Sequence, residues 1–434
     1  MGLTQEQINI VKSTAPVLKV HGETITTLFY KDMMDTHPEL RNVFSLRNQA
    51  SGEQPRALAN SVLAYATHID DLPRLRAAVE RIAHKHASLY VRPEQYDVVG
   101  AHLLKAIATV LGDALTPEIA DAWAAAYAQL AHVFIGREAD MYAAAGPTWT
   151  SWRRFRIARR VAESDAVTSF YLAPADGDVP LPRFRPGQYV SVRVPVPALG
   201  GITQPRQYSL SEAYDKGEHY RISVKREAAA ADGESGGGGG GGGKVGEGPS
   251  VPGLVSNLLH DEYRVGDEVE VSHPQGDFFL DPSRRRDNGD APLVLVSAGV
   301  GATPLVAIMD AVLGPESETP DRPVKWIHAA RDSGSLVFAK HVRDLTRERH
   351  NVSAHVFLSR VREGDVQGSE YDFGEHLDLG KLPAGELGLG DERSEYYLCG
   401  PRDWMLKVRS ALEGLGVARE RVKLELFATG DVEE

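Results

Sequence analysis

Cysteine occurs once in these 434 residues, at Cys399. No internal disulfide can form, and cysteine-ligated metal clusters are excluded, so any metal must rely on histidine, carboxylate or a prosthetic group. Such sparing use of thiols fits a reducing cytoplasm, where the chain is expected to reside. Long apolar runs are also missing: none approaches a membrane span, and residues 1–10 lack the pattern of a secretory signal. Positive charge is in deficit. With a net charge of -12 and no local basic face, a nucleic-acid partner is not expected. What remains is ordinary for a globular protein, 42% hydrophobic and 25% charged, in a chain long enough for two or three domains.

Three textures follow one another along the chain. Up to about Tyr142 every periodic stretch reads as helix. Thr4 with Gln7 makes a capping-box start, and helical patterns run over 20–34, 55–68, 73–90, 93–111 and 117–142, several beginning at a proline. From Trp152 the pattern turns to short strands, FRIARRVAES, SFYLAP, QYVSVRV, YRISVKRE and VGDEVEVS, broken by turn residues such as Asp176-Gly177 and Pro186-Gly187. An antiparallel barrel or sandwich is predicted there. Near Pro292 strands begin to alternate with helices, as in a doubly wound α/β domain. The predicted fold class is therefore multidomain: an all-α unit over 1–146, an antiparallel β-barrel over 151–288 and an α/β unit over 289–434. Within the barrel, residues 228–253 carry the unbroken run Gly236–Gly243, which has no side chains to bury and reads as a disordered surface loop.

One helical stretch, AVERIAHKHASLY at 78–90, is chemically marked. Val79, Ile82, Ala83, His86 and Leu89/Tyr90 share one side, whereas Glu80, Arg81, His84 and Ser88 fall mainly on the other. Of its two histidines, only His86 belongs to the apolar stripe. An imidazole there either hydrogen-bonds within the core or ligates something.

The order of the three textures, with their local motifs, resembles the bacterial flavohaemoglobins, a globin fused to a ferredoxin-reductase-like FAD and NAD(P)H unit. LFYKDM, NVFSLRNQ, QPRALANSVLAYA, RIAHKHASLYVRPEQY and HVFIGREADMY are similar to that family's successive globin signatures. The resemblance makes His86 the proximal ligand of a haem b iron and Tyr30 the distal hydroxyl that donates to bound oxygen. Gln54 and Leu58 match further distal positions, and Phe44 matches the ring on the haem edge. Tyr96 and Glu138 match the proximal pair. A carboxylate accepting from the far nitrogen of His86 makes that imidazole more basic. By itself, Glu138 reads as a surface charge beside Arg137. Lys85 matches a lysine near haem and flavin.

In the barrel, Arg206-Gln207-Tyr208-Ser209 resembles the flavin signature RxYS, with Arg206 for the pyrophosphate, Tyr208 for the ring and Ser209 for its reactive nitrogen. Tyr189 matches a flavin-contacting position, and Ser256 begins a helix whose amides face the FAD diphosphate. Farther on, Gly299-Val300-Gly301-Ala302-Thr303-Pro304 is a strand–turn–helix phosphate loop, although its sixth residue is not the glycine of the dinucleotide fingerprint. Cys399-Gly400-Pro401 matches the reductase motif near the nicotinamide. Glu425, Leu426 and Phe427 resemble the segment that covers the flavin. Ala428 and Thr429 replace the family's usual Gly-Pro, which puts the packing of this tail in doubt. Ala302 stands where a larger polar residue is common.

The activity implied is that of a monomeric NO dioxygenase using O2 and NO as substrates, with electrons from NADH or NADPH passing through FAD to haem. Alternatives are a haem or flavin reductase with other acceptors, or an oxygen or NO sensor or store. Arg331, Arg343 or another basic residue is a candidate for reaching a 2′-phosphate, and equally a solvated charge.

Overall fold

The computed structural model describes residues 2–146, 148–177, 181–214, 217–227, 253–281 and 290–427. The glycine run Gly236–Gly243, almost all of the expected 228–253 insert, and Ala428 and Thr429 lie outside these residues.

The N-terminal part folds as α1 (Gln5–Ser13), α2 (Ala15–Thr36), α3 (Leu46–Ala50), α4 (Glu53–Thr67), α5 (Arg76–Ser88), α6 (Pro93–Leu111) and α7 (Pro117–Ala145). Thr4 and Gln7 cap α1 reciprocally: the Thr4 hydroxyl accepts from the Gln7 amide at 3.2 Å, and the Gln7 side chain accepts from the Thr4 amide at 2.9 Å. The predicted helix over 73–90 splits into a 3₁₀ turn at Leu72–Leu75 and α5. It stops short of Tyr90, whose φ of 56° breaks the right-handed run. α3 escapes a periodicity search because five residues do not complete two turns. Ile25, Phe29, Met33, Leu103, Ile107 and Trp123 build the core. α2 and α4 cross closely at Gly22, where a Cβ would sit 3.3 Å from that of Ala59.

Six strands form the next unit: β1 (Arg153–Ala162), β2 (Val167–Pro174), β3 (Tyr189–Pro195), β4 (Thr203–Ser209), β5 (Tyr220–Lys225) and β6 (Glu268–Val271), in the order β4-β3-β6-β1-β2-β5. The end strands meet through the bridge Leu210–Ile222, closing an antiparallel barrel around Phe155, Ile157, Phe170, Val192, Tyr220 and Val224. β4 carries RQYS, and its mixture of Gln, Pro and Arg hides it from an alternation test. Gly187 must be glycine. Its φ is 107°, and a Cβ there would lie 2.5 Å from the Phe278 carbonyl oxygen. Helix α8 (Leu254–Asp261) packs against the barrel.

The last unit is a parallel sheet of β7 (Leu293–Ala298), β8 (Val324–Ala330), β9 (Val352–Leu358), β10 (Glu395–Cys399) and β11 (Val422–Glu425) in the order β11-β10-β7-β8-β9. It is crossed by α9 (Ala302–Leu313), α10 (Ala339–Glu348) and α11 (Arg402–Gly414). β10 is buried throughout and β7 in all but its last residue, as a sheet covered on both faces requires. Among the described residues, no helix is long and apolar enough to cross a membrane.

Candidate functional site

The face of α5 that carries His86 looks toward α6 and α7. There His86 Nδ1 lies 2.9 Å from both Tyr96 Oη and Glu138 Oε1, and the Tyr96 hydroxyl donates to Glu138 at 2.5 Å. Glu138 is buried, so it is not the surface charge that its neighbour Arg137 suggests. Arg137 instead pairs with Glu80 across the helix pair, at 2.8 Å from Nε. Burial, then the charge of Glu138, pushes the Tyr96 hydroxyl far above its usual range and keeps it a donor. With a carboxylate on Nδ1, the imidazole holds its proton on that side and leaves the Nε2 lone pair open. Among the described residues no group of three or more histidine, cysteine or acidic side chains is arranged to hold a metal. A single open imidazole fits a metal that brings its own equatorial donors, which is what a porphyrin does.

Across the α2–α4 side stands Tyr30, buried, with its hydroxyl pushed up to about 12 by burial against the opposing hydrogen bond from Gln54. Gln54 Nε2 donates to Tyr30 Oη at 3.3 Å, so the phenol's own proton remains available to another acceptor. Phe44 meets the Tyr30 ring edge-on with centroids 5.5 Å apart, and Leu58 packs on the same cluster. Lys85 follows the opposite logic. Burial lowers its ammonium pKa, and no acid among the described residues pairs with it.

Ser88, two residues past His86, faces the other way and enters the barrel. Its hydroxyl accepts from Ser191 at 2.9 Å and from the Gln207 amide at 3.2 Å. The seam continues where Gln204 accepts from the Leu46 amide at 3.0 Å and donates to the Arg41 carbonyl at 2.8 Å. Thr203 donates its amide to Asn42 at 2.8 Å, and His84 Nδ1 meets Gln275 Oε1 at 2.8 Å. Sequence reasoning missed Ser88, Asn42, Gln204 and Gln275. Position was the signal for Ser88, two residues past His86, and for Gln204, two residues before Arg206; Asn42 opens the NVFSLRNQ stretch, and Gln275 carried no signal.

Within the barrel, Arg206 is mostly enclosed, and burial lowers its pKa. Its guanidinium donates to the Pro205 carbonyl at 2.7 Å and has no acidic partner among the described residues. A sheltered arginine without a carboxylate is suited to a phosphate. Tyr208 and Tyr189 have their hydroxyls pushed above the usual range, mainly by burial, and Ser209 is buried. Ser256 accepts weakly from the Glu227 amide at 3.4 Å in the first turn of α8, where it stays near the open amides. Glu425 pairs in register with Cys399 across β11 and β10, and Cys399 with Ser297 of β7. Burial raises the Glu425 carboxyl well above its usual range, with Asp277 adding to it, and likewise raises the Cys399 thiol. Leu426 is half-buried and Phe427 is half exposed at the end of the described chain.

The predicted turn at 299–304 opens as a single 3₁₀ turn, Gly299–Gly301, leading directly into α9, with Ala302, Thr303 and Pro304 in its first turn. Gly299 takes φ 55°, and a Cβ on Gly301 would strike the Cys399 carbonyl oxygen at 2.1 Å. Val300 accepts the Thr303 hydroxyl at 2.9 Å. Cys399-Gly400-Pro401 thus presses on the glycine turn, and Gly400 is in turn closed in by Trp404 and Ala298.

Against known proteins, a globin family model matches residues 27–134, and an oxidoreductase NAD-binding domain model matches 295–410. The chain is 47% identical over 433 residues to the flavohemoprotein of Bordetella pertussis, covering 99% of this chain and 100% of that one. The chain belongs to the flavohemoprotein family. The Rhizobium meliloti flavohemoprotein is 44% identical over 428 residues, 98% of each chain. A solved flavohemoglobin from Malassezia yamatoensis, with FAD and heme bound, superposes with a TM-score of 0.80 at 28% identity over 99% of this chain and 100% of that one. Membership makes the chain an oxidoreductase, with globin and reductase units in the order that the sequence textures predicted.

Proposed function

We propose that this flavohemoprotein is an NAD(P)H-dependent nitric oxide dioxygenase, holding haem b and FAD and turning NO and O2 into nitrate. The observation that carries the reading is the pairing of an anchored imidazole, His86 with Tyr96 and Glu138, with a distal hydroxyl, Tyr30 with Gln54, on one globin body. That body is sealed to the flavin barrel through Ser88. When bound, haem supplies iron that takes one electron at a time and holds a diatomic gas, while FAD converts a hydride into single electrons.

The chain's residues do the rest. His86 offers Nε2 to the metal, and Glu138 with Tyr96 holds the imidazole's orientation and raises its basicity. Tyr30 would donate its proton to a small ligand held on its side of the pocket, Gln54 fixes that phenol, and Leu58 and Phe44 exclude water. Lys85 offers a positive charge to an anionic edge of a cofactor. Arg206 takes the flavin diphosphate together with the α8 amides beside Ser256. Tyr189, Tyr208, Ser209 and Gln207 line the ring, and Glu425 to Phe427 close over it. Gly299–Gly301 with Ala302, Thr303 and Pro304 receives the nucleotide phosphates on free amides, and Cys399-Gly400-Pro401 shapes the nicotinamide end. One hydride carries two electrons, enough to turn two NO and two O2 into two nitrates.

The test is NO consumption in aerobic buffer by the haem- and FAD-loaded protein, with NADH and NADPH supplied separately. Fast NO loss with matching nitrate is expected. Slow NO loss beside rapid NAD(P)H oxidation would leave a reductase with other acceptors.

A further inference from the structure

The second strand of a doubly wound nucleotide site ends where the adenosine ribose sits. An acid there accepts from the ribose diol, whereas an arginine accommodates a 2′-phosphate. This chain places both residue types after β8, as Arg331-Asp332, and the structure gives them opposite fates. The Asp332 side chain is 1% exposed. Its Oδ1 accepts from Arg362 at 2.9 Å and from the Ser335 hydroxyl at 2.8 Å, and its Oδ2 accepts from Arg360. Burial would raise its pKa, and these hydrogen bonds overcome that and hold the carboxyl down at about 2. Both oxygens are engaged by the protein's own side chains and the carboxylate is covered, so a ribose hydroxyl reaches no acceptor there.

Arg331, in contrast, is exposed, and its guanidinium has no partner among the described residues. Its carbonyl accepts the Arg360 amide at 2.8 Å, which sets the two arginines side by side just past the last β8–β9 register pair, Ala330–Leu358. The Arg360 side chain is 62% exposed and anchored on Asp332 through one nitrogen, and its other N–H groups have no partner among the described residues. Arg362 is held between two carboxylates, its Nη2 donating to Asp332 and, at 2.8 Å, to Asp165 of the barrel. Arg343 is bonded to the Ser369 carbonyl at 2.8 Å.

We propose that Arg331 and Arg360 form a 2′-phosphate subsite, with Asp332 as the buried post that orients Arg360, so that this chain takes NADPH in preference to NADH. The proposal rests on the nucleotide site of the functional reading above and not on the fate of NO.

Its first test is calorimetric binding of adenosine 2′,5′-bisphosphate and of 5′-AMP to the full chain loaded with haem and FAD. The bisphosphate is expected to bind at least about tenfold tighter, the worth of one charge-assisted contact. Arg331→Gln, which breaks no internal contact, should remove most of that advantage, and so should Arg360→Gln. A second readout is the NADPH-to-NADH ratio of kcat/KM with ferricyanide as acceptor. That ratio should exceed one in the parent chain, fall about tenfold in either variant and stay unchanged in Arg343→Gln. Equal affinity for the two adenosine ligands, a preference for NADH, or an Arg331→Gln ratio equal to the parent's would overturn the proposal. So would a flavin that neither nucleotide reduces. NADPH-selective ferricyanide reduction without NO consumption would refute the dioxygenase reading alone.

Discussion

Replacing Glu138 with glutamine probes the part of the globin site where geometry and electrostatics are most closely joined. The side chain is 3% exposed, and its Oε1 accepts from His86 at 2.9 Å and from Tyr96 at 2.5 Å. Glutamine keeps the shape, and its carbonyl still accepts from one of these donors, but the negative charge is gone. A hydrogen bond to a charged acceptor is worth about 1.5–3 kcal/mol and a neutral one about 0.5–1.5 kcal/mol, a difference of roughly 1 kcal/mol. That difference favours the more positive, oxidised metal. For a one-electron couple, in which tenfold in equilibrium is about 59 mV, it predicts a haem midpoint potential roughly 50 mV higher in Glu138→Gln. Spectroelectrochemical titration reads the potential, and a haem assay confirms that occupancy is intact. NO turnover should fall by about 10–100-fold, the usual cost of removing a partner of a metal-bound imidazole. A potential within about 10 mV of the parent's, at full haem content, would refute the reasoning.

Tyr30→Phe removes the distal donor while keeping the ring against Phe44, so oxygen dissociation from the reduced protein, followed by stopped flow, should accelerate about tenfold, the worth of one hydrogen bond. Gly301→Ala sets a Cβ 2.1 Å from the Cys399 carbonyl, a backbone atom that cannot swing away. Flavin reduction by either nucleotide should drop at least about tenfold, while haem binding is retained. His328 is buried, bonded to Ser297 through Nδ1 at 2.8 Å and without a partner at Nε2 among the described residues, and burial pushes it down to about 4. The folded chain thus resists a proton that the unfolded chain accepts below about 6.5, so this stability is present above that pH and lost as pH falls toward 4. Urea unfolding of the α/β unit should show about 1.5 kcal/mol lost between pH 6.5 and 5, and a shallower slope in His328→Gln.

Much of this architecture is legible in residue order, and the reasons are local. Helical and strand periodicities separate the three textures because each depends on neighbours within one or two turns. Pro93 and Pro117 fall at helix starts, and Thr4 with Gln7 builds its cap without help from the rest of the chain. The spacing of His86 and Ser88 also carries information. Two residues along an α-helix are about 200° apart, so one faces the globin pocket and the other the barrel.

What only the tertiary structure decided lies between residues far apart. Glu138 is 52 positions from His86 and next to an arginine, and helix packing alone turns it inward while Arg137 turns to Glu80. The Ser88–Gln207 contact joins residues 119 positions apart, and no periodicity specifies it. Arg331 and Asp332 are adjacent in sequence, yet one is exposed with no side-chain partner among the described residues while the other is enclosed by three donors. Alternation after a strand end cannot assign those fates. They depend on where β9 places Arg360 and Arg362, and a buried charge persists only where such partners converge. The residue order thus determined element types, their succession and the faces of single helices. Packing determined which charges are buried, which remain open, and therefore which are free to meet a ligand.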